Sequence, residues 1–311
     1  MGLRSYQNNL CLVTGGAGYI GSHIVRALLE NNIRVKVIDS LISGNEAAIP
    51  GDVELINIDI NNHADVERVF KLNKFDGVIN TAGLKSVVQS FNEPELYYKT
   101  NVEAVKNLLY LKDKQSYFLQ SSSAAIYGNP EVLPVTEDHQ ANPISVYGKT
   151  KLLSEFEVLK YSNSSCLRYF NVLGSDPALK FSTETLVDKV LFNISQGLEP
   201  EIYGNSYDTF DGTCIRDYVH VKDVANAHIL AINALKNNKV LGAINLGTGI
   251  GHSVLDVITE IYKVLDKPLS YSIKPKRKGE ISKMIGSIDK AKKLLLYTPL
   301  YSLNEMILNS I

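Results

Sequence analysis

Short apolar runs alternate with amphipathic stretches along the first half of the chain, at a nearly regular interval. Leu10–Val13 reads as a buried strand. After it, Ile20, Ile24, Ala27 and Leu28 recur at helical spacing between Tyr19 and Glu30. Strand patterns follow at Val35–Ile38 and Val53–Ile58, a helix pattern at His63–Leu72, and a strand at Val78–Thr81. Pro94 opens a long helical pattern that runs to about Leu111. Tyr117–Leu119 is a strand ending in a serine run, Val146–Lys160 is a helix and Leu167–Phe170 a further strand. Strands and helices alternating in this way predict a parallel sheet covered on both faces, and right-handed crossovers make such a sheet doubly wound. Beyond Gly174 the pattern loosens. Helices are predicted at Thr183–Ser195, Val221–Leu235 and Val254–Leu265, with short strands near Ile202, Ile244 and Tyr271. The expectation is an α/β fold. A doubly wound parallel, Rossmann-like sheet occupies residues 1–173 and a smaller C-terminal substrate-binding lobe residues 174–311, with the chain able to cross between them.

Composition narrows the classes. At 311 residues, with 45% hydrophobic and 21% charged positions, the chain is globular rather than disordered, collagenous or coiled-coil. Thirty-two Lys and Arg against thirty-three Asp and Glu give a formal net charge of -1, which offers no bulk field for nucleic acid or an anionic membrane. Cys11, Cys166 and Cys214 lack metal-ligand spacing, and two of them sit in apolar runs; they read as buried thiols in a reducing compartment, and no metal site is expected. The first ten residues carry no apolar segment of signal-peptide length and no window is apolar enough to span a membrane, so the cytoplasm is the expected location. The Lys274–Lys278 cluster is either a solvated loop or an anion clamp.

Chemistry enters after the first strand. Gly15, Gly18 and Gly21 are spaced for a strand–loop–helix phosphate cradle: Gly15 for a tight turn, Gly18 for close approach of a pyrophosphate, and Gly21 for packing of the following helix. The second strand ends in Asp39, whose carboxylate suits two ribose hydroxyls and repels a 2′-phosphate; no arginine follows it up to Gly44, which selects NAD over NADP. Asp59 and Ile60, after the third strand, are placed to meet the adenine, or are merely turn residues. Tyr147 and Lys151 lie four apart on a predicted helix and share a face. An ammonium beside a phenol favours phenolate, a general base. Ser123, just past a strand's C-terminal end, is placed to donate to an oxyanion or pass a proton to Tyr147. Each also has a plainer reading, as an incidental helix face or a polar loop.

Together these residues resemble the extended short-chain dehydrogenase/reductase superfamily and, within it, the UDP-glucose (UDP-galactose) 4-epimerase family. The resemblance runs along nearly the whole chain. It is carried by VTGGAGYIGSH at Val13–His23, AGLKSV at Ala82–Val87, SSSAAIYG at Ser121–Gly128 and YGKTK at Tyr147–Lys151. Farther on come LRYFN at Leu167–Asn171, DGTCIRDYVHV at Asp211–Val221 and NLGTG at Asn245–Gly249. It implies Ser123, Tyr147 and Lys151 as the catalytic set. It implies cofactor contacts from Tyr19, Ile20, Ala82, Gly83, Lys85, Asn101 and Phe170 as well as from the glycines and Asp39. It further implies that Asn171, Tyr203, Arg216 and Arg277 hold the UDP part, with Glu280 toward the uridine ribose and Lys85, Ser123 and Tyr147 at the sugar.

The chain departs from the family in three places. The segment after Asn171 is short and lacks the PNNL signature, the aromatic tail is missing, and Met284 stands where a tyrosine often bounds the sugar pocket. The activity implied is an NAD-dependent UDP-hexose 4-epimerase, an isomerase acting through a transient 4-keto sugar, on the glucose/galactose pair and on the N-acetylated pair if methionine leaves room for it. The rivals are a nucleotide-sugar 4,6-dehydratase, a related NADP-exchanging sugar-nucleotide enzyme and a non-catalytic NAD sensor. Ala124 and Ala125, where a dehydratase carries acid/base residues, count against the first. Asp39 counts against the second and the intact Ser–Tyr–Lys set against the third. A UDP-sugar is the expected partner. The predicted Pro94–Leu111 and Val146–Lys160 helices, with Leu108, Leu109, Leu152, Leu153 and Phe156, are expected to form a homodimer bundle, as the resemblance implies.

Overall fold

The computed structural model describes residues 9–176, 179, 185–277 and 279–311. In chain order the first elements are β1 (Leu10–Thr14), α1 (Tyr19–Glu30), β2 (Arg34–Asp39), β3 (Glu54–Asn57), α2 (His63–Leu72) and β4 (Gly77–Asn80). Then come α3 (Val87–Asn92), α4 (Pro94–Tyr98), α5 (Ala104–Leu111), β5 (Tyr117–Ser123), α6 (Val146–Val158), β6 (Ser164–Tyr169) and β7 (Asn171–Leu173). The rest are α7 (Leu186–Ser195), β8 (Glu201–Tyr203), β9 (Ile215–His220), α8 (Val221–Lys236), β10 (Gly242–Leu246), β11 (Gly251–Ser253), α9 (Val254–Val264), β12 (Ser272–Lys274), β13 (Lys283–Met284), α10 (Asp289–Leu295) and α11 (Leu303–Leu308).

Seven strands form one sheet in the order β10-β6-β5-β4-β1-β2-β3, and every pairing is parallel. The strand order reverses between β1 and β4, so a crevice opens there at the C-terminal ends of the strands. The apolar runs become strands because both of their faces are covered. Cys11, Val13, Ile79, Leu119 and Leu167 point into the cluster with α1 and α8, while Leu12, Val78, Phe118 and Cys166 point into the cluster with α2 and α5.

Two sequence expectations change here. The predicted Pro94–Leu111 helix is interrupted: α4 and α5 are joined through a π turn at Lys99–Glu103. An extra residue in the turn widens the helix, a feature that often sits at functional sites. The strand near Ile244 is not in the smaller lobe. It is β10, paired with β6 at the edge of the large sheet, and α8 packs on α1 within the same core. The chain therefore crosses back past residue 174, because the apolar face of α8 completes the cover of the large sheet.

A second, smaller core gathers α7, α9 and α11 with the short strands β7, β8 and β9, while α10 packs on α8 and β10 in the large core. Around the smaller core β9 pairs with β7, β11 and β13, while β12 pairs with β8. The predicted helix start at Thr183, most of the short segment after Asn171 and Lys278 of the basic cluster lie outside the described residues. No helix among the described residues is long and apolar enough to cross a membrane.

Candidate active site

Because the large sheet is parallel throughout, every strand delivers its last residue to the same edge. The loop after β1 turns at Gly15, which has φ +72; a Cβ there would lie 2.5 Å from the Ala82 backbone nitrogen. At Gly21 a Cβ would come within 2.1 Å of the Gly15 carbonyl oxygen, so this glycine lets α1 close on its own loop and on Thr81. Gly18 differs: its φ is -77, and a Cβ would meet only the Gly15 carbonyl, at 3.2 Å. As the N-cap of α1, Gly18 brings no side chain to the leading amides, and the first turn holds no acidic residue. The helix thus presents an uncapped positive end to the crevice, which fits a pyrophosphate. The Tyr19 hydroxyl does not face this cradle; it donates to the Gly174 carbonyl, and burial raises it above the ordinary phenol range. Ile20 packs partly buried against the α1 side of the core.

Asp39 ends β2 and is buried. Its two oxygens accept from the amides of Ala17 and Leu41, both at 2.9 Å, so the carboxylate clasps the glycine loop. Each oxygen keeps a second lone pair, and that fits ribose hydroxyls. Asp59 is exposed and accepts from the backbone and side chain of Asn61. The Ile60 side chain, expected against adenine, is instead buried in the α2–α5 cluster.

The loop after β4 carries Ala82, Gly83 and Lys85, with Lys85 exposed. Asn101, on the π turn, was expected to touch the cofactor. It is 2% exposed, and its amide accepts from Leu84 N at 2.9 Å and donates to Leu84 O at 3.0 Å and Thr150 Oγ1 at 3.1 Å. Its work in this structure is to tie that loop to α6. Gly83 is needed beside it, since a Cβ would stand 2.8 Å from Asn101 Oδ1.

Ser123, Tyr147 and Lys151 meet at the end of β5. Ser145 caps α6 by accepting from Gly148 N, so the helix begins one residue before Tyr147. Lys151 is buried, donates from Nζ to the Ser121 carbonyl at 3.0 Å, and lies 5.9 Å from the centre of the Tyr147 ring. Ser123 Oγ accepts from Ala125 N at 3.2 Å and lies close enough to the Tyr147 phenol to favour its ionised form. The Tyr147 phenol is not brought down in this state. Burial raises the Tyr147 phenol, against the pull of Ser123, and burial brings the Lys151 ammonium down to about 8, against Cys166 and Glu155, which raise it. Tyr147 is therefore a protonated phenol here, and at neutral pH Lys151 remains largely ammonium.

Phe170 and Met284 share a small buried cluster with Ala124, Ile126, Tyr127 and Val135, directly behind the serine turn. Neither presents an open face: they are 6% and 5% exposed. They form a buried wall next to the serine turn. Asn171 is exposed at the start of β7.

The second cluster lies beside the smaller core. Arg277 stacks its guanidinium 3.8 Å from the centre of the Tyr203 ring, and the Tyr203 hydroxyl donates to Glu201 at 2.6 Å. Arg216 extends from β9 and pairs with Glu280 at 2.5 Å, while Glu280 N closes a turn on Arg277 O. Of the five residues assigned to the UDP part, Tyr203, Arg216, Arg277 and Glu280 thus come together, while no contact among the described residues joins Asn171 to them. Glu280 already occupies Arg216, so an incoming anion exchanges partners with it.

Sequence reasoning missed a buried polar layer beneath the catalytic set. Glu155 receives Arg168 through three contacts and Ser122 Oγ through a fourth. Beside them, Ser121 Oγ meets Tyr169 Oη at 2.7 Å, which meets His228 Nε2 at 2.9 Å. An arginine inside the apolar strand LRYF, and a glutamate four residues past Lys151, were the signals available.

Comparison with known proteins agrees with this geometry. Residues 11–247 match the model of the NAD dependent epimerase/dehydratase family. The chain is 37% identical to the UDP-glucose 4-epimerase of Halalkalibacterium halodurans, covering 95% of this chain and 92% of that one. The crystal structure of UDP-glucose 4-epimerase from Brucella ovis in complex with NAD superposes with a TM-score of 0.91 at 32% identity, over 97% of each chain. The UDP-Glc/GlcNAc 4-epimerase from Campylobacter jejuni superposes with a TM-score of 0.83 at 33% identity, again over 97% of each chain.

Proposed function

The chain belongs to the NAD dependent epimerase/dehydratase family, and from that premise we propose that it is an NAD-dependent UDP-hexose 4-epimerase, an isomerase interconverting UDP-glucose and UDP-galactose. The observation that carries this reading is the meeting of Ser123, Tyr147 and Lys151 at the sheet edge that also holds the glycine cradle and Asp39.

The glycine loop and the first turn of α1 hold the pyrophosphate of NAD, and Asp39 holds a ribose. NAD, when bound, would supply reversible hydride chemistry at sugar C4, with no net redox change. Tyr147 accepts the proton of the 4-hydroxyl and gives it back after the ring turns over. Lys151 supplies the positive charge that favours phenolate. Ser123 holds the sugar oxygen and the Tyr147 hydroxyl in one line. Arg216 and Arg277 grip the diphosphate, a pairing that suits planar guanidinium groups. Tyr203 backs Arg277, Glu280 turns from Arg216 to the uridine ribose, and Asn171 and Lys85 close over the sugar. Ala124 and Ala125 carry no acid or base, which leaves the elimination of a 4,6-dehydratase without its proton carriers.

Met284, behind the serine turn, is unbranched and adaptable. On this reading it lets the pocket admit an acetamido group at sugar C2 as well as a hydroxyl. The C. jejuni relative, named for both the Glc and GlcNAc forms, supports that range.

The reading extends to a two-fold dimer. Val88 and Phe91 on α3, Tyr110 on α5, and Leu153 and Phe156 on α6 are exposed at 76%, 58%, 84%, 42% and 59%. Leu108 and Leu109, expected in that interface, are instead core residues, and Leu152 packs against the wall behind the serine turn. The three cysteines are buried and free, which supports a reducing compartment and hence the cytoplasm.

The test is direct. Purified protein is incubated with UDP-glucose, with no cofactor added, and the C4 epimers are resolved. Appearance of UDP-galactose is expected; no epimer, or turnover only with added NADP, would overturn the reading.

A further inference from the structure

Glu155 lies one helical turn beyond Lys151 on α6 and is 1% exposed. A carboxylate that far from water needs partners, and it has them. Arg168 on β6 donates from Nε at 3.0 and 3.2 Å and from NH2 at 2.7 Å; Ser122 on β5 donates at 2.5 Å. The arrangement joins α6 to the two strands that flank the catalytic set. Ser122 lies between Ser121, whose carbonyl receives the Lys151 ammonium, and Ser123, whose hydroxyl favours the ionised form of Tyr147. Arg168 is held in turn by the Tyr127 hydroxyl at 2.8 Å and the Glu137 carbonyl at 3.2 Å.

The groups facing Lys151 come from several elements. Tyr147 and Glu155 share α6 with it. Cys166 is on β6, and the Ser121 carbonyl, backed by Tyr169, is on β5. Asn101, from the π turn, is neutral and engaged with Leu84 and Thr150. Cys166 is a buried thiol held well above its ordinary range, hence uncharged. Among these groups Glu155 is the standing negative charge.

We propose that Glu155, locked by Arg168 and Ser122, is a positioning residue that keeps Lys151 charged and aimed at Ser121 while the ammonium is buried beside Tyr147. The inference rests on the epimerase reading and deepens it. Burial alone discharges a lysine. A carboxylate one turn away opposes this through a low-dielectric interior: Cys166 and Glu155 both raise Lys151 against burial. Arg168 makes the carboxylate tolerable in the core, since a lone buried charge would take up a proton instead.

The experiment is the pH profile of kcat for UDP-glucose epimerisation by the intact NAD-loaded protein. In Glu155→Gln the side chain keeps its shape and loses its charge. The alkaline limb, where the Lys151 ammonium is lost, should move down by on the order of one pH unit, with KM little changed. Ser122→Ala removes a hydrogen bond to Glu155 but not the charge, and its limb should stay with the wild type. Should Glu155→Gln fail to fold, the double variant Glu155→Gln/Arg168→Met carries the same test, because removing both partners leaves no orphaned charge. It too should move the limb down. A folded variant whose limb stays in place would overturn the proposal. So would a limb that moves equally in Ser122→Ala. Failure of the epimerase reading looks different: the wild type would show no turnover, or Lys151→Met would retain its full rate.

Discussion

Gly18→Ala separates cofactor binding from folding. At this position φ is -77 and ψ is 172, an extended conformation that alanine adopts freely. The added methyl would meet only the Gly15 carbonyl oxygen, at 3.2 Å, in an otherwise open direction. The cofactor-free protein should therefore lose almost nothing, and a smaller unfolded-state entropy offsets part of the contact, by ~0.4–1 kcal/mol. On the proposed reading, the open direction is where the pyrophosphate of NAD would approach the loop. A methyl group there costs about 1–3 kcal/mol in steric displacement, the size of an overpacked core contact, and so roughly 5- to 150-fold in NAD affinity. Gly21→Ala makes the opposite comparison. Its methyl would stand 2.1 Å from the Gly15 carbonyl and 2.8 Å from Gly16 Cα, so the backbone itself has to move and the fold should lose stability before any ligand is added. The assay is a thermal melt of cofactor-stripped protein beside an NAD titration for wild type and both variants. The expected pattern is an unchanged melting temperature with a weakened Kd for Gly18→Ala, and a lowered melting temperature for Gly21→Ala. A Gly18→Ala protein that binds NAD as tightly as wild type would refute the placement of the pyrophosphate.

Tyr147→Phe should fold and bind NAD while turnover falls by ~10²-fold or more, and Ser123→Ala should be milder if water replaces the hydroxyl; stopped-assay rates decide both. Burial holds His220 and His228 down to about 4, so both histidines resist a proton in the native state that the unfolded chain accepts below 6.5. Stability should fall from pH 6.5 toward 4 by on the order of 3 kcal/mol, after Asp223, pushed up to about 6, gives back part of the loss as it takes a proton; melting temperature against pH, flatter in His228→Gln, checks it. Met284→Tyr should lose UDP-N-acetylglucosamine turnover before UDP-glucose turnover, by roughly 10- to 200-fold in the ratio of kcat/KM, and an unchanged ratio would remove Met284 from the pocket. Light scattering at micromolar concentration should give twice the chain mass, and Phe156→Lys should shift it toward one.

What was legible in the sequence had local causes. The strands at Leu10–Thr14 and Tyr117–Ser123 declare themselves because both faces are buried, which forces continuous apolar runs. The glycine loop is legible because each glycine answers a steric demand set by residues a few positions away. The π turn at Lys99–Glu103 left no such trace. Within it Asn101 bonds to Leu84 on one side and Thr150 on the other, and both partners are distant in sequence. The place of β10 was not legible for the same kind of reason. Its five residues look like any short strand, and only its pairing with β6 puts it in the large sheet.

The same division explains the electrostatics of the site. Tyr147 and Lys151 are four apart, and their common face follows from helix geometry alone. Their charge states do not. Those depend on how deeply β5 and β6 bury them and on what stands behind, and the residues behind are Ser121, Ser122, Glu155, Arg168 and Tyr169, drawn from three elements. A motif read along the chain gives the reacting groups; the layer beneath decides whether they are poised. In the cofactor-free protein Tyr147 is held protonated while Lys151 stays close to its charged form. A base that ionises only once a positive charge arrives beside it spends little time as a buried phenolate when the site is empty. On the proposed reading, the burial that raises Tyr147 thereby ties the base's activation to a filled site.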